Sequence, residues 1–160
     1  MKKMSIALLA TFVASASVAP AHASAGPHFS PAGGTATAAG YGNINGNICD
    51  ATAVITIGPD NHPTAGLAEY ADVVFSNTGA PCNDYKVQAR VYPNGDVSNV
   101  TVTYLPLATV VCASTGTYTG AVVYTGTTPV TNAALAAPIS VGACTLDTDI
   151  AISGSINIVP

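Results

Sequence analysis

The chain has 160 residues, of which 49% are hydrophobic and only 8% are charged, and its formal net charge is −4. Four basic residues cannot form the cationic surface that binds a phosphate backbone, so the composition excludes nucleic acid as a partner. A chain with many apolar residues and few charges also differs from disordered sequences.

The first residues predict a cleavable, helical signal peptide over residues 1–23. Two lysines precede an apolar run at residues 6–18, and residues 21–23 (AHA) have the small-x-small pattern of a cleavage site. The apolar run is too short for a membrane-spanning helix. We therefore expect a secreted or cell-surface protein whose exported part, residues 24–160, is a single β domain with no transmembrane segment.

Residues 24–47 form a Gly-rich N-terminal segment. Within it, residues 29–40 predict a weak strand and residues 41–47 (YGNINGN) a turn-rich link, in which Asn45-Gly46 is a hairpin-type dipeptide. The next segment, residues 49–57 (CDATAVITI), has small or apolar residues at every second position, which is typical of a half-buried strand. On this pattern Ala51, Ala53, Ile55 and Ile57 share the buried face, and residues 58–63 form a loop.

The middle of the chain predicts one ambiguous element and one hairpin. Residues 67–76 fit both a helical stripe and a strand, and we predict a strand because no capping box precedes them. Residues 85–92 and 97–104 alternate clearly around a Pro-Asn-Gly-Asp turn and predict the strongest hairpin of the sequence. Lys86 and Arg90 then share the solvent face, either as a small cationic spot or, as we prefer, as surface charge that keeps an edge strand soluble.

The last third predicts strands at residues 108–113, 117–124 and 139–145, with a connecting turn at 131–138. The end of the chain, residues 141–159, has isoleucines at even positions only: Ile150, Ile152, Ile156 and Ile158. They should lie on one face of a strand that Gly154 interrupts. The whole pattern predicts an all-β fold, an antiparallel β-sandwich of about eight or nine short strands.

Four cysteines in a chain bound for an oxidising compartment predict two disulfide bonds: Cys49, Cys82, Cys112 and Cys144. Three pairings are possible, and the sequence does not choose among them. We favour Cys49 with Cys82 and Cys112 with Cys144, because each bond then closes one half of the domain. The cysteine spacings match neither a zinc site nor a haem attachment motif.

No catalytic motif is present, and we predict neither an enzyme nor a cofactor or metal site. His28 and His62 lie beside prolines and should be surface loop residues. Asp147 and Asp149 form either a calcium site with Asp50 or Asp60 or, as we prefer, a solvated acidic turn. The glycosylation sequon that begins at Asn99 is interpreted as an ordinary strand position.

Three parts of the chain resemble the PraB family of secreted bacterial proteins, which are known as activators of alkane oxidation. The first is residues 29–33 (FSPAG) followed by Gly40, the second is residues 97–102 (VSNVTV), 111–112 (VC) and 116–120 (GTYTG), and the third is residues 144–146 (CTL) with 154–158 (GSINI). Together they span most of the exported chain, which differs from the family pattern in having no Trp. The resemblance implies an exported, non-catalytic cell-surface protein that is linked to growth on alkanes.

Three hypotheses about function follow. The first is a PraB-like protein that acts at hydrocarbon or envelope interfaces, since a charge-poor surface adsorbs readily. The second is a subunit of an extracellular fibre or adhesin, in which residues 24–47 or 150–159 are donated to another copy by strand addition. The third is a small secreted hydrolase or sugar-binding module. The expected partners are therefore other copies of the chain or hydrophobic interfaces.

Overall fold

The computed structural model describes residues 26–160, and the predicted helical signal peptide at residues 1–23 lies outside this range. Within it the chain forms twelve β-strands and one short 3-10 helix at Leu105–Leu107. None of the helices in this range is long and apolar enough to cross a membrane. The strands are β1 (His28–Ser30), β2 (Thr35–Ile44), β3 (Asn47–Ile57), β4 (Ala71–Thr78), β5 (Tyr85–Val91), β6 (Val97–Tyr104), β7 (Thr109–Ser114), β8 (Val122–Thr125), β9 (Asn132–Leu135), β10 (Ile139–Val141), β11 (Cys144–Ser153) and β12 (Asn157–Val159).

The strands confirm the all-β, antiparallel prediction, but the predicted sandwich is wrong. One main sheet has the strand order β7-β6-β5-β4-β3-β2-β11-β9-β8, with β10 also paired to β11, and only β1 and β12 form a separate two-stranded sheet among the described residues. The main sheet curls into a half-barrel, so that its β8 end meets the β5–β6 hairpin. There the backbone N–H of Val122 donates to the carbonyl of Gly95 at 2.8 Å. Strand alternation predicts which side is buried but not whether a sheet folds back on itself.

Strands β2 and β3 form a long hairpin at the centre of the sheet. Asn45 and Gly46 are its two turn residues and have φ angles of 54° and 85°, as a tight hairpin turn requires. The prediction of a turn at this dipeptide is confirmed, whereas the predicted link over residues 41–47 is wrong because β2 continues to Ile44. All four predicted core residues of β3 are buried: Ala51, Ala53, Ile55 and Ile57.

Three predictions for the last third of the chain need correction. Residues 132–135 form strand β9 rather than a turn, because they pair with the central strand β11. Residues 139–145 are a tight hairpin rather than one strand, since Val141 pairs with Cys144 across Gly142 and Ala143. The strand predicted at residues 117–124 begins only at Val122.

The isoleucine-rich C-terminal stretch is divided between both sheets. Gly154, at a φ of 139°, ends β11 and marks the predicted interruption. Beyond it, β12 leaves the main sheet and pairs with β1. The predicted common face is nevertheless preserved, since Ile150 and Ile156 are buried in one core cluster and Ile152 and Ile158 pack against it.

Two disulfide bonds hold this fold, and they are the pairs favoured from the sequence. Cys49 bonds to Cys82 and Cys112 to Cys144, with Cα–Cα distances of 6.1 and 6.0 Å. Each closes a loop of a length for which the chain-entropy model gives about 3–4 kcal/mol of stabilisation. Such bonds are typical of proteins in oxidising, extracellular environments.

Candidate functional site

One of the two histidines is placed differently from the sequence prediction, whereas His62 lies in the predicted loop after β3. His28 begins β1 and is only 2% exposed, so it is not a surface loop residue. Its ring centroid lies 4.1 Å from that of His62, whose Nδ1 accepts a hydrogen bond from the N–H of Thr64 at 3.0 Å. Neither ring nitrogen of His28, nor Nε2 of His62, has a hydrogen-bond partner among the described residues. The pair is packed into the fold without a carboxylate that would orient it for catalysis.

Three of the carboxylates proposed for a calcium site accept hydrogen bonds from other groups. The preferred prediction of an acidic turn is wrong, because Asp147 and Asp149 belong to strand β11. Asp149 Oδ1 accepts from the Asn132 side chain at 2.7 Å, and Asp147 Oδ1 accepts from the N–H of Thr148 at 2.9 Å. Asp60 accepts from the N–H of Gly66 in a distant loop. Within residues 26–160, no three His, Cys, Asp or Glu side chains are grouped so that they could hold a metal ion.

The two basic side chains of β5 do not form a free cationic spot. Arg90 makes a two-point ion pair with Asp72, at 2.8 and 3.1 Å, and its guanidinium lies 3.7 Å from the ring centroid of Tyr70. The hydrogen bond that Arg90 donates to Asp72 raises the pKa of Arg90. Arg90 therefore joins β5 to β4 on the outer face of the sheet. The predicted edge position is wrong, because β5 lies between β4 and β6.

Asn99, the sequon residue, is exposed at an irregularity of β6. Its φ is 52°, and the pairing of β5 with β6 shifts between Gln88 and Arg90, which places a bulge at this position. Asparagine tolerates this left-handed conformation better than most residues. Asn99 therefore lies at a β-bulge, which the sequence pattern did not predict.

The most distinctive surface feature is a group of exposed aliphatic side chains at the β7 edge of the sheet. We call Leu105, Leu107, Val110 and Val111 the aliphatic patch; they are 48%, 72%, 54% and 46% exposed. The first two belong to the 3-10 helix between β6 and β7, and the other two to β7 itself. Large aliphatic side chains grouped on a surface mark contact with an apolar partner or phase more often than scattered ones do.

A bulge explains why two successive valines are exposed. Val110 pairs with Thr103 and Cys112 with Val102, so Val111 is an extra residue in the ladder. Strict alternation would place one of the two valines inside, whereas a bulge leaves the extra residue unpaired and turns both outward. Cys112, the next residue, is buried and disulfide-bonded, which anchors the patch to β11.

The patch lies within a long uncharged part of the chain. Residues 97–146 contain no Asp, Glu, Lys, Arg or His, and they include all of β6 to β10. Strand alternation did not reveal the patch, because the bulge breaks the pattern. The uncharged run could have indicated the patch, because charged side chains normally protect the edge strand of a sheet and none is present here.

Comparisons of the chain with protein-family models, with curated proteins and with solved structures found no match.

Proposed function

We propose that the protein is a secreted, non-catalytic cell-surface protein that acts where water meets hydrocarbon or another apolar phase, as the resemblance to PraB-like activators of alkane oxidation implies. The observation that carries this proposal is the aliphatic patch. Its four side chains project from one edge of the fold, and the surrounding run 97–146 has no charge that would have to lose its hydration at an interface.

The contact energy with an apolar phase is small for each side chain and adds over the patch. Fully burying a Val or Leu side chain is worth about 1.5–3 kcal/mol, so half-exposed ones contribute roughly 1 kcal/mol each on entering an apolar phase. Four such side chains that enter together form a small but effective anchor. No backbone rearrangement is needed, because they are already exposed in the folded protein.

The disulfides support the same role. A protein that adsorbs to an oil surface tends to unfold there, because its core side chains can avoid water by contacting oil instead of one another. Cys112–Cys144 joins β7 to β11 directly beside the aliphatic patch. The bond therefore keeps the patch on a folded edge while it is in contact with the apolar phase.

Pendant-drop measurements of hexadecane–water interfacial tension test the proposal with purified residues 24–160. We expect the native protein to lower the tension and Val110→Asp to lower it much less. Val54→Asp is a matched control, because Val54 is 52% exposed, close to the 54% of Val110, but lies on the outer face of β3. No lowering by the native protein, or equal lowering by both variants, would contradict the proposal.

A fibre subunit is the second candidate, because β7 offers an open sheet edge. Among the described residues β7 pairs with β6 alone and its backbone makes no hydrogen bond with any other segment. The donor segments suggested by the sequence are not free, however: residues 35–44 and 150–153 pair with each other and with their neighbours inside the sheet. Sedimentation velocity over a wide concentration range tests assembly, and a monomer throughout would count against this candidate.

No arrangement of the described residues favours the hydrolase or sugar-binding hypothesis.

A further inference from the structure

The interior of the curled sheet contains an apolar cavity of about 80 Å³. A second cavity, of about 50 Å³, lies next to it and shares the lining residues Phe75, Val91, Val122 and Thr148. The first lies on the side of β6 and β10, and the second extends towards β1 and β9. Protein interiors are close-packed, so two neighbouring voids of this size in one small domain are an unusual feature.

The polar groups that line these cavities already have hydrogen-bond partners. The side-chain N–H of Asn77 donates to the carbonyl of Tyr85 at 3.2 Å, and the hydroxyl of Thr148 donates to the carbonyl of Tyr41 at 2.8 Å. The hydroxyl of Tyr124 donates to the carbonyl of Tyr92. The other walls are almost entirely aliphatic or aromatic. Apolar cavities without free polar groups stay dry and accept apolar guests.

At one point of β11, no strand is paired to it on the side of β9 and β10, and this point lies in the wall of the larger cavity. Leu146 pairs with Ile139 of β10, whereas Asp149 pairs with Ala134 of β9. Asp147 and Thr148 lie between these two ladders, and the N–H of Thr148 donates to the side chain of Asp147 instead of to a strand. Side chains, rather than a hydrogen-bonded strand, therefore close the sheet between β9 and β10.

We propose that this interior site binds one small, uncharged apolar molecule, which enters between β9 and β10. The lining determines this class, because it offers contact almost entirely to carbon atoms. The carboxylate of Asp147 lies at the gap between β9 and β10, where it accepts the N–H of Thr148. The size follows from the volumes: an apolar protein cavity of about 150 Å³ binds benzene, so the two voids together suit a guest of about four to six carbons. The site is separate from the aliphatic patch and does not depend on the interfacial role.

The experiment measures binding of benzene and cyclohexane to residues 24–160 by the rise in Tm and by methyl NMR. We expect Tm to rise with probe concentration and intermolecular NOEs to link the probe to the methyl groups of Val91, Val100 and Val122. Ala89→Leu adds three carbon atoms to the cavity wall and should weaken binding at least about tenfold. Ala151→Leu is the control, since Ala151 is exposed on the same sheet.

The outcomes are distinct. Binding with NOEs to these valines, reduced in Ala89→Leu and retained in Ala151→Leu, supports the site. Absence of binding by both probes overturns it, as does binding that Ala89→Leu leaves unchanged or NOEs confined to the aliphatic patch. If Ala89→Leu does not fold, the smaller change Ala89→Val and the NOEs of the native protein decide the question.

Discussion

The hydroxyl of Tyr124 donates a hydrogen bond of 2.9 Å to the carbonyl oxygen of Tyr92, which joins strand β8 to the loop between β5 and β6. Strand β8 ends the sheet on one side, and β5 is six strands away from it in the sheet order. The bond therefore closes the curl, together with the backbone hydrogen bond between Val122 and Gly95. A single buried phenol thus links two distant parts of one sheet.

Because of this phenol, the free energy of unfolding should change with pH in the alkaline range. Burial raises the pKa of Tyr124 well above its usual value, whereas the unfolded chain ionises near pH 10. Above about pH 10 the unfolded state therefore releases a proton that the folded state keeps, and the free energy of unfolding falls by about 1.4 kcal/mol per pH unit. We expect urea titrations to show this fall in the native protein and a flatter profile in Tyr124→Phe. Parallel profiles for both proteins would contradict the assignment.

Gly40 permits the close approach of β2 to β11. A Cβ at this position would collide with the carbonyl oxygen of Asp149 and lie 2.8 Å from the Cα of Ile150. Gly40→Ala should therefore force the two central strands apart and cost about 2–4 kcal/mol in the free energy of unfolding. Gly116→Ala is the control, because its nearest contact would be an ordinary 3.5 Å, and it should change stability by less than about 0.5 kcal/mol. Equal effects in chemical denaturation would refute the explanation.

The two disulfides should differ in their effect on the local stability of strand β7. Replacing either pair by alanine should lower the free energy of unfolding by about 2–5 kcal/mol. Because Cys112–Cys144 joins the edge strand β7 to β11, its loss should also speed native-state hydrogen exchange in residues 109–114. Loss of Cys49–Cys82 should leave exchange there unchanged under native conditions. Faster exchange of β7 in both variants, or in neither, would be the contrary result.

His28 is expected to limit stability. Its ring is 2% exposed and neither nitrogen has a hydrogen-bond partner among the described residues. Burying polar atoms without partners costs about 1–3 kcal/mol, so His28→Leu, which keeps a similar volume, should raise the midpoint of urea unfolding. His62→Leu is the comparison: it removes one unpartnered nitrogen, Nε2, but also the acceptor for the N–H of Thr64, so its gain should be smaller than that of His28→Leu. A destabilised His28→Leu protein would show that the imidazole has a partner or role.

The sequence predicted best what depends on local alternation and turn chemistry. The hairpin at residues 85–104 is predictable because alternating strands flank a well-defined turn, and the turn at Asn45-Gly46 because this dipeptide favours it. Strand β9 was missed because its sequence, NAAL, has little strand propensity of its own and is held by pairing with β11. The curl was also missed, since contacts such as that of Tyr124 with Tyr92 join residues far apart in sequence.

The aliphatic patch was missed for a related reason. Residues 108–113 were correctly predicted as a strand, but strict alternation would bury one of the two valines at 110 and 111. The bulge at Val111 and the position of β7 at the sheet edge both depend on pairing with β6. His28 was assigned to a surface loop because Pro27 precedes it, whereas pairing of β1 with β12 places it in the interior.

Hydrogen exchange of the protein bound to hexadecane droplets tests the interfacial role most directly. The outer edge of β7 has no strand partner in the described part of the chain, so its outward amides should exchange fast in solution. We predict that droplet binding slows exchange severalfold in residues 105–111 and leaves the outer face of β3 around Val54 unchanged. Unchanged exchange at residues 105–111, or protection mainly around Val54, would contradict contact through the aliphatic patch.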